Sequence, residues 1–129
     1  MTIFIRVLAA LPALLFLVMG IQWLFAPAEA AAGLEMPLLQ GVAASAQIGD
    51  LGSFFFVNGV LMALGQLPGR SHLLYAPAFL IGGAGVFRIA AALLGHAPFA
   101  VDFILAEAIM TTILLVAARR LGQPAAAAA

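Results

Sequence analysis

The chain contains no cysteine and no lysine, and only one tryptophan and one tyrosine. Without cysteine there is no disulfide scaffold, no thiol nucleophile and no Cys-ligated zinc or iron–sulfur site, and the redox compartment leaves no mark. Charge is scarce as well: five arginines face five carboxylates, 8% of 129 residues, for a formal net charge of +0. A nucleic-acid binder needs a basic surface, which this composition does not supply. What is present is carbon. Hydrophobic residues make up 66% of the chain and the mean hydropathy is +1.22, where an ordinary soluble domain has about 45–50% apolar and about 25% charged residues. Soluble globules and disordered segments are excluded, and an integral membrane protein remains.

Crossing a hydrocarbon layer of roughly 30 Å takes about 20 largely apolar residues. Four stretches meet that length, at about 3–25, 44–67, 72–94 and 98–118. The first is interrupted only by Arg6 and Pro12, and the last is stopped by Arg119 and Arg120. The runs are continuous rather than alternating, which argues against a barrel. The expected fold is all-α, an integral membrane four-helix bundle forming one domain over 1–121, with an Ala-rich tail over 122–129. Ala26 to Gly41 reads as the longest connection. Leu67 to Ser71 reads as a tight turn with Ser71 as helix N-cap, and Gly95 to Pro98 joins the last two spans.

Arginine placement sets the orientation. Arg6, Arg70, Arg119 and Arg120 fall at the N-terminus, the second loop and the C-terminus, while the first and third loops carry only Glu29, Glu35 and His96. Both termini are therefore expected on the cytoplasmic side, with Trp23 and Tyr75 near opposite interfaces. A competing reading takes Arg6, the apolar run and Ala26 to Ala30 as a signal peptide. The length of that run and Trp23 near its end argue against cleavage.

The polar residues inside the spans are the informative ones. An ionisable side chain at mid-bilayer costs about 2.5–3.5 kcal/mol, while each Leu, Ile, Phe or Val returns about 0.3–0.6. The fourth span holds ten such apolar residues between Phe99 and Val116, worth roughly 3–6 kcal/mol. Asp102 and Glu107 nearly cancel that gain, so this span needs a partner, and Arg88 in the third span is the single cation within the membrane. At about 1.5 Å per residue, Asp50 and Arg88 each lie roughly 9 Å below the outer interface, Glu107 near 13 Å and Asp102 near 6 Å. Gln22 sits close to that same surface. The five residues thus occupy the outer half.

Helical faces restrict the cluster further. Gln47, Asp50, Phe54, Val57 and Asn58 share one side of the second span, and Glu107 shares a side with Phe103, Thr111 and Leu114. Asp102 points about 140° away from Glu107, towards its own helix N-terminus or the headgroups. Asn58 is expected to bridge helices. Gly49, Gly52 and Gly59, with Gly82, Gly83 and Gly85, permit close approach, expected between the second and third spans. The ligand-binding or structural polar cluster is accordingly Asp50, Arg88, Glu107, Gln22, Gln47, Asn58 and Asp102. It serves either as a lock on helix register or as a polar pocket open to the outer leaflet. No metal or cofactor is expected: His72 and His96 fall on opposite sides, and no phosphate loop or dinucleotide fingerprint occurs.

At these residues the chain resembles the DoxX-like group of small four-helix bacterial membrane proteins, including a related family of unknown function. The matching landmarks are Gly20 through Trp23 to Pro27, Gly49-Asp50-Leu51 with Phe54-Phe55, Phe87-Arg88 with Gly95, and the acidic Glu107. The resemblance implies a multi-pass protein of the bacterial inner membrane. Some relatives accompany quinone-linked oxidoreductases, which puts a quinone beside other apolar small molecules as an expected ligand. The resemblance implies no catalytic residues. Three functions stay open: a module binding an apolar ligand or helical partner through the polar cluster, an isomerase-like proton-transfer enzyme using Glu107 or Asp50 with Arg88, and a structural subunit of a larger membrane complex or homo-oligomer.

Overall fold

A computed structural model describes residues 2–123, so the alanine run expected as a tail lies outside the described residues. Among the described residues all regular structure is helical: α1 (Thr2–Phe25), α2 (Pro27–Gly33), α3 (Val42–Gly65), a 3₁₀ turn (Ser71–Leu74) running into α4 (Tyr75–Leu93), and α5 (Val101–Leu121). Four segments are long and apolar enough to cross a membrane, namely α1, α3, Ser71–Leu93 and α5. This is the build of a multi-pass membrane protein. Pro12 sits inside α1 without ending it, a tolerance common in apolar helices whose freed carbonyl finds other partners.

The element ends follow local chemistry. Pro98 biases the residue before it away from helix, and α5 starts only at Val101, three residues beyond the expected boundary. Arg119 and Arg120 do not stop α5 but form its last turn, where cations complement the carbonyl end of the helix. Ser71 is not an N-cap. The 3₁₀ turn begins at Ser71 itself, Arg70 is the cap residue, and no side chain caps it. The first connection holds a helix where a loop was expected. Pro27 at its first position and Glu29 in its first turn are ordinary start signals. It ends in a Schellman turn, Met36 N–H donating to Ala31 O at 3.1 Å and Glu35 N–H to Ala32 O at 3.0 Å. Glu35 takes the left-handed position (φ 57°) that Gly95 takes at the end of α4 (φ 75°).

Glycines decide which helices meet, and the pairing differs from the expected one. A Cβ on Gly20 would lie 2.6 Å from the Phe56 backbone nitrogen, and one on Gly59 would lie 2.8 Å from that of Leu17. So α1 and α3 press backbone to backbone. Gly82 and Gly85 of α4 face Thr111 and Glu107 of α5. The glycines expected between the second and third spans therefore serve to join α1 to α3 and α4 to α5 instead; Gly65 meets the third span at Leu74, and α3 and α4 themselves touch only sparingly. Helix α1 also touches α5. At one end Arg6 donates from Nη1 to the Gln66 carbonyl, and Leu74 lies over Gly65; this is the arginine end. The α1–α3 and α4–α5 connections lie at the other.

Trp23, two residues from the end of α1, turns into the bundle. It is wholly buried, with its Cβ 3.2 Å from where a Cβ on Gly52 would lie. Tyr75 is half-buried and stacks on Phe79 at 6.2 Å between ring centroids. Two glycine replacements separate the roles of these positions. Gly20→Ala should destabilise the protein by about 1–3 kcal/mol, the usual cost of overpacking. Gly49→Ala, which meets nothing within 4 Å, should stabilise it by about 0.5–1 kcal/mol. Equilibrium unfolding in bicelles would show the difference, and equal shifts would contradict this packing.

Candidate functional site

The site is built from α4 and α5. Gly85 lacks a side chain, so the Glu107 carboxylate fits against α4: a Cβ at Gly85 would lie 3.2 Å from Glu107 Oε2. Arg88 follows one turn later on the same side of α4, and its Nε donates to Glu107 Oε1 at 2.8 Å. The guanidinium also lies over the Phe103 ring, 4.8 Å from its centroid, an arrangement that favours a cation. Glu107 is buried, with its side chain 11% exposed, while that of Arg88 is 41% exposed. Glu107 Oε2 is buried without a hydrogen-bond partner among the described residues.

The pair forms part of the wall of a cavity of about 470 Å³. The cavity exists because the two close helix pairs leave space between them, where α3 and α4 hardly touch. Its lining is mostly carbon. Phe16, Phe54 and Phe103 supply rings, and Met19, Met36 and Met110 supply flexible thioethers that adapt to irregular shapes. Phe16 stacks edge-on against Phe55 at 5.0 Å, and Phe54 lies 5.3 Å from Phe55, so one side of the cavity is an interlocked aromatic wall. Gly33, Leu34 and Met36 contribute a further side from the end of α2 and the segment after it. A volume of this size falls within the roughly 300–1,000 Å³ of small-molecule pockets.

The other residues of the expected cluster are dispersed. Asp50 is exposed, and only its backbone carbonyl is engaged, accepting from Ser53 Oγ at 3.2 Å. The reason is angular. Asp50 and Val57 lie about 60° and 80° round α3 from Gln47; Gln47 and Asn58 turn inward, and the edge of the buried face falls between Phe54 and Asp50. Asp102 is exposed in the first turn of α5. Gln22 is half-buried on α1. Asn58 is 2% exposed and donates from Nδ2 to Phe54 O of its own helix at 2.7 Å, so it bridges no helices through that group.

Gln47 has a different role. Its Oε1 accepts from Leu39 N–H at 2.9 Å, and its Nε2 donates to Pro37 O and lies 3.1 Å from Met36 Sδ. One buried amide therefore pins the segment that carries Met36 into the cavity wall. The residues that sequence reasoning missed here are apolar: Met19, Met36 and Met110 carry no spacing signal, and only the fold assembles them. Among the described residues no three metal-ligating side chains converge. Comparison with protein-family models, curated proteins and solved structures finds no match to this chain.

Breaking the ion pair tests its structural weight. Arg88→Met leaves Glu107 buried alone and should cost about 2 kcal/mol, short of the ~3–5 kcal/mol of a fully buried pair because Arg88 is partly exposed. Adding Glu107→Met should recover most of that loss. Asp50→Leu should change stability by less than about 0.5 kcal/mol. Unfolding in mixed micelles measures all three, and a costly Asp50→Leu would mean that the carboxylate has a partner.

Proposed function

We propose that this chain is a four-helix bundle of the bacterial inner membrane, with cytoplasmic termini and in the DoxX-like group, that binds an apolar small molecule in the cavity at Arg88 and Glu107. The carrying observation is the cavity itself: about 470 Å³ of mainly carbon-lined space with one ion pair in its wall. Apolar pockets with a few convergent polar groups are the usual form of small-molecule sites. The positions of Arg6, Arg70, Arg119 and Arg120 at one end, opposite Glu29 and Glu35, support the orientation. In that orientation the cavity lies towards the outer leaflet, from which a lipid-soluble molecule enters without crossing water.

One observation favours a second reading. Among the described residues Glu107 Oε2 is buried and without a partner, and a carboxylate so placed can exchange a proton with a bound substrate. In this proton-transfer reading Glu107 acts, Arg88 steadies the charge, and Asp50 has no part.

Photolabelling in native membranes tests the binding reading. An uncharged alkyl diazirine should attach to α5 around Phe103 and Met110 at saturating occupancy. Ala84→Phe, which fills the cavity from α4, should lower that labelling at least about tenfold while the protein still folds. Labelling spread evenly over the lipid-facing residues of all helices, unchanged by Ala84→Phe, would refute it.

A further inference from the structure

Arg88 presents more hydrogen-bonding capacity than the protein uses. A guanidinium carries five N–H donors, and among the described residues only Nε finds a partner, Glu107 Oε1. Both Nη groups are free, and Arg88 lines the cavity. Taken alone, a free guanidinium in an apolar cavity would call for a carboxylate, sulfonate or phosphate headgroup. Glu107 changes that. It already cancels the charge of Arg88, so the pair is neutral as it stands. An anionic headgroup on the Nη groups would leave one uncompensated negative charge in a low-dielectric wall, which is strongly unfavourable.

The surroundings add to this. Asp50 and Asp102 are exposed and do not line the cavity. Arg88 and Glu107 are its charged lining residues, and the rest of the lining is apolar. Among the described residues no second cation lines the cavity to offset an anion placed beside Glu107, while an uncharged oxygen acceptor needs none and still satisfies the free N–H groups.

Resting on the cavity reading above, the geometry points to a ligand that is uncharged and bears a carbonyl oxygen at one end of an apolar body, with Glu107 as the residue that excludes anionic amphiphiles. The carbonyl accepts from an Arg88 Nη group, and the apolar body lies among Phe16, Phe54 and the three methionines. Glu107 makes this selection by neutralising Arg88 and needs no contact with the ligand.

Two probes of equal chain length separate the possibilities: methyl dodecanoate, an uncharged ester, and dodecanesulfonate, whose negative charge is fixed. Binding to the full chain in amphipol is followed by native mass spectrometry. The wild type should bind the ester at least about tenfold more tightly, a preference of about 1.4 kcal/mol. Glu107→Gln, which keeps the side-chain shape and removes its charge, should reverse the order. Arg88→Gln, which leaves the Glu107 carboxylate without its counter-charge, should weaken ester binding and still exclude the sulfonate. A wild type that binds the sulfonate as well as the ester overturns the inference, as does a folded Glu107→Gln protein that keeps the wild-type order. In either case the cavity reading stands. If neither probe binds, or if Ala84→Phe binds both unchanged, the cavity reading itself falls. The wild-type comparison decides the matter even where a variant does not fold.

Discussion

The pairing of α4 with α5, and with it the polar wall of the cavity, follows from the burial of Glu107. A carboxylate in the second turn of α5 offsets much of what that helix gains from its leucines, isoleucines, valines and phenylalanines. The α4 helix answers with two residues three apart. Gly85 leaves the volume in which the carboxylate sits, and Arg88 brings the counter-charge to Oε1. Neither residue would serve without the other: an alanine at 85 would press on Oε2, and a glycine row without Arg88 would bury a lone charge. The α4–α5 pair is thus specified by chemistry, whereas the α1–α3 pair is specified by shape, through the contacts of Gly20 with Phe56 and of Gly59 with Leu17.

The cavity is the consequence of having two such pairs. Each is drawn tight by its own glycines, and across the gap Phe54 and Phe55 of α3 line one side while Ile81, Ala84 and Arg88 of α4 line another. Side chains then line the gap instead of filling it. The segment between α2 and α3 adds a wall from the end opposite the arginines, held by the three contacts of Gln47. A chain with no cysteine and few charges obtains a partly open, apolar site in this way from packing alone.

Much of this was legible in the sequence. The four spans were, because length and hydropathy alone decide them. So was the dependence of Glu107 on Arg88, since every other arginine lies near an end of its span or in a loop. The stop at Gly95 was readable from its type. The rest was not, for reasons that differ by residue. Asp50 was placed with Gln47 by helical angle, and an arc of about 60° proved enough to carry it from the buried side to the exposed one. The glycines of α3 and α4 showed that close approach occurs but not with which neighbour, a choice made by the side chains that fill the space each glycine leaves. The start of α2 was signalled by Pro27 and Glu29 and hidden by the expectation that a short connection is irregular. The habit of its residue type says nothing of which neighbour Trp23 packs on, and Gly52 offers it a place inside. The methionines of the cavity share no face or spacing along the chain, so no reading of periodicity could have gathered them.

The central claim is that the space beside Arg88 and Glu107 holds an apolar molecule. Native mass spectrometry of the chain ejected directly from its own membranes measures this most directly. The account predicts an adduct of one uncharged small molecule on the wild-type chain, retained when bulk lipid is stripped and missing from the Ala84→Phe chain. A wild-type chain that emerges bare, or an adduct equally present when the cavity is filled, would contradict it.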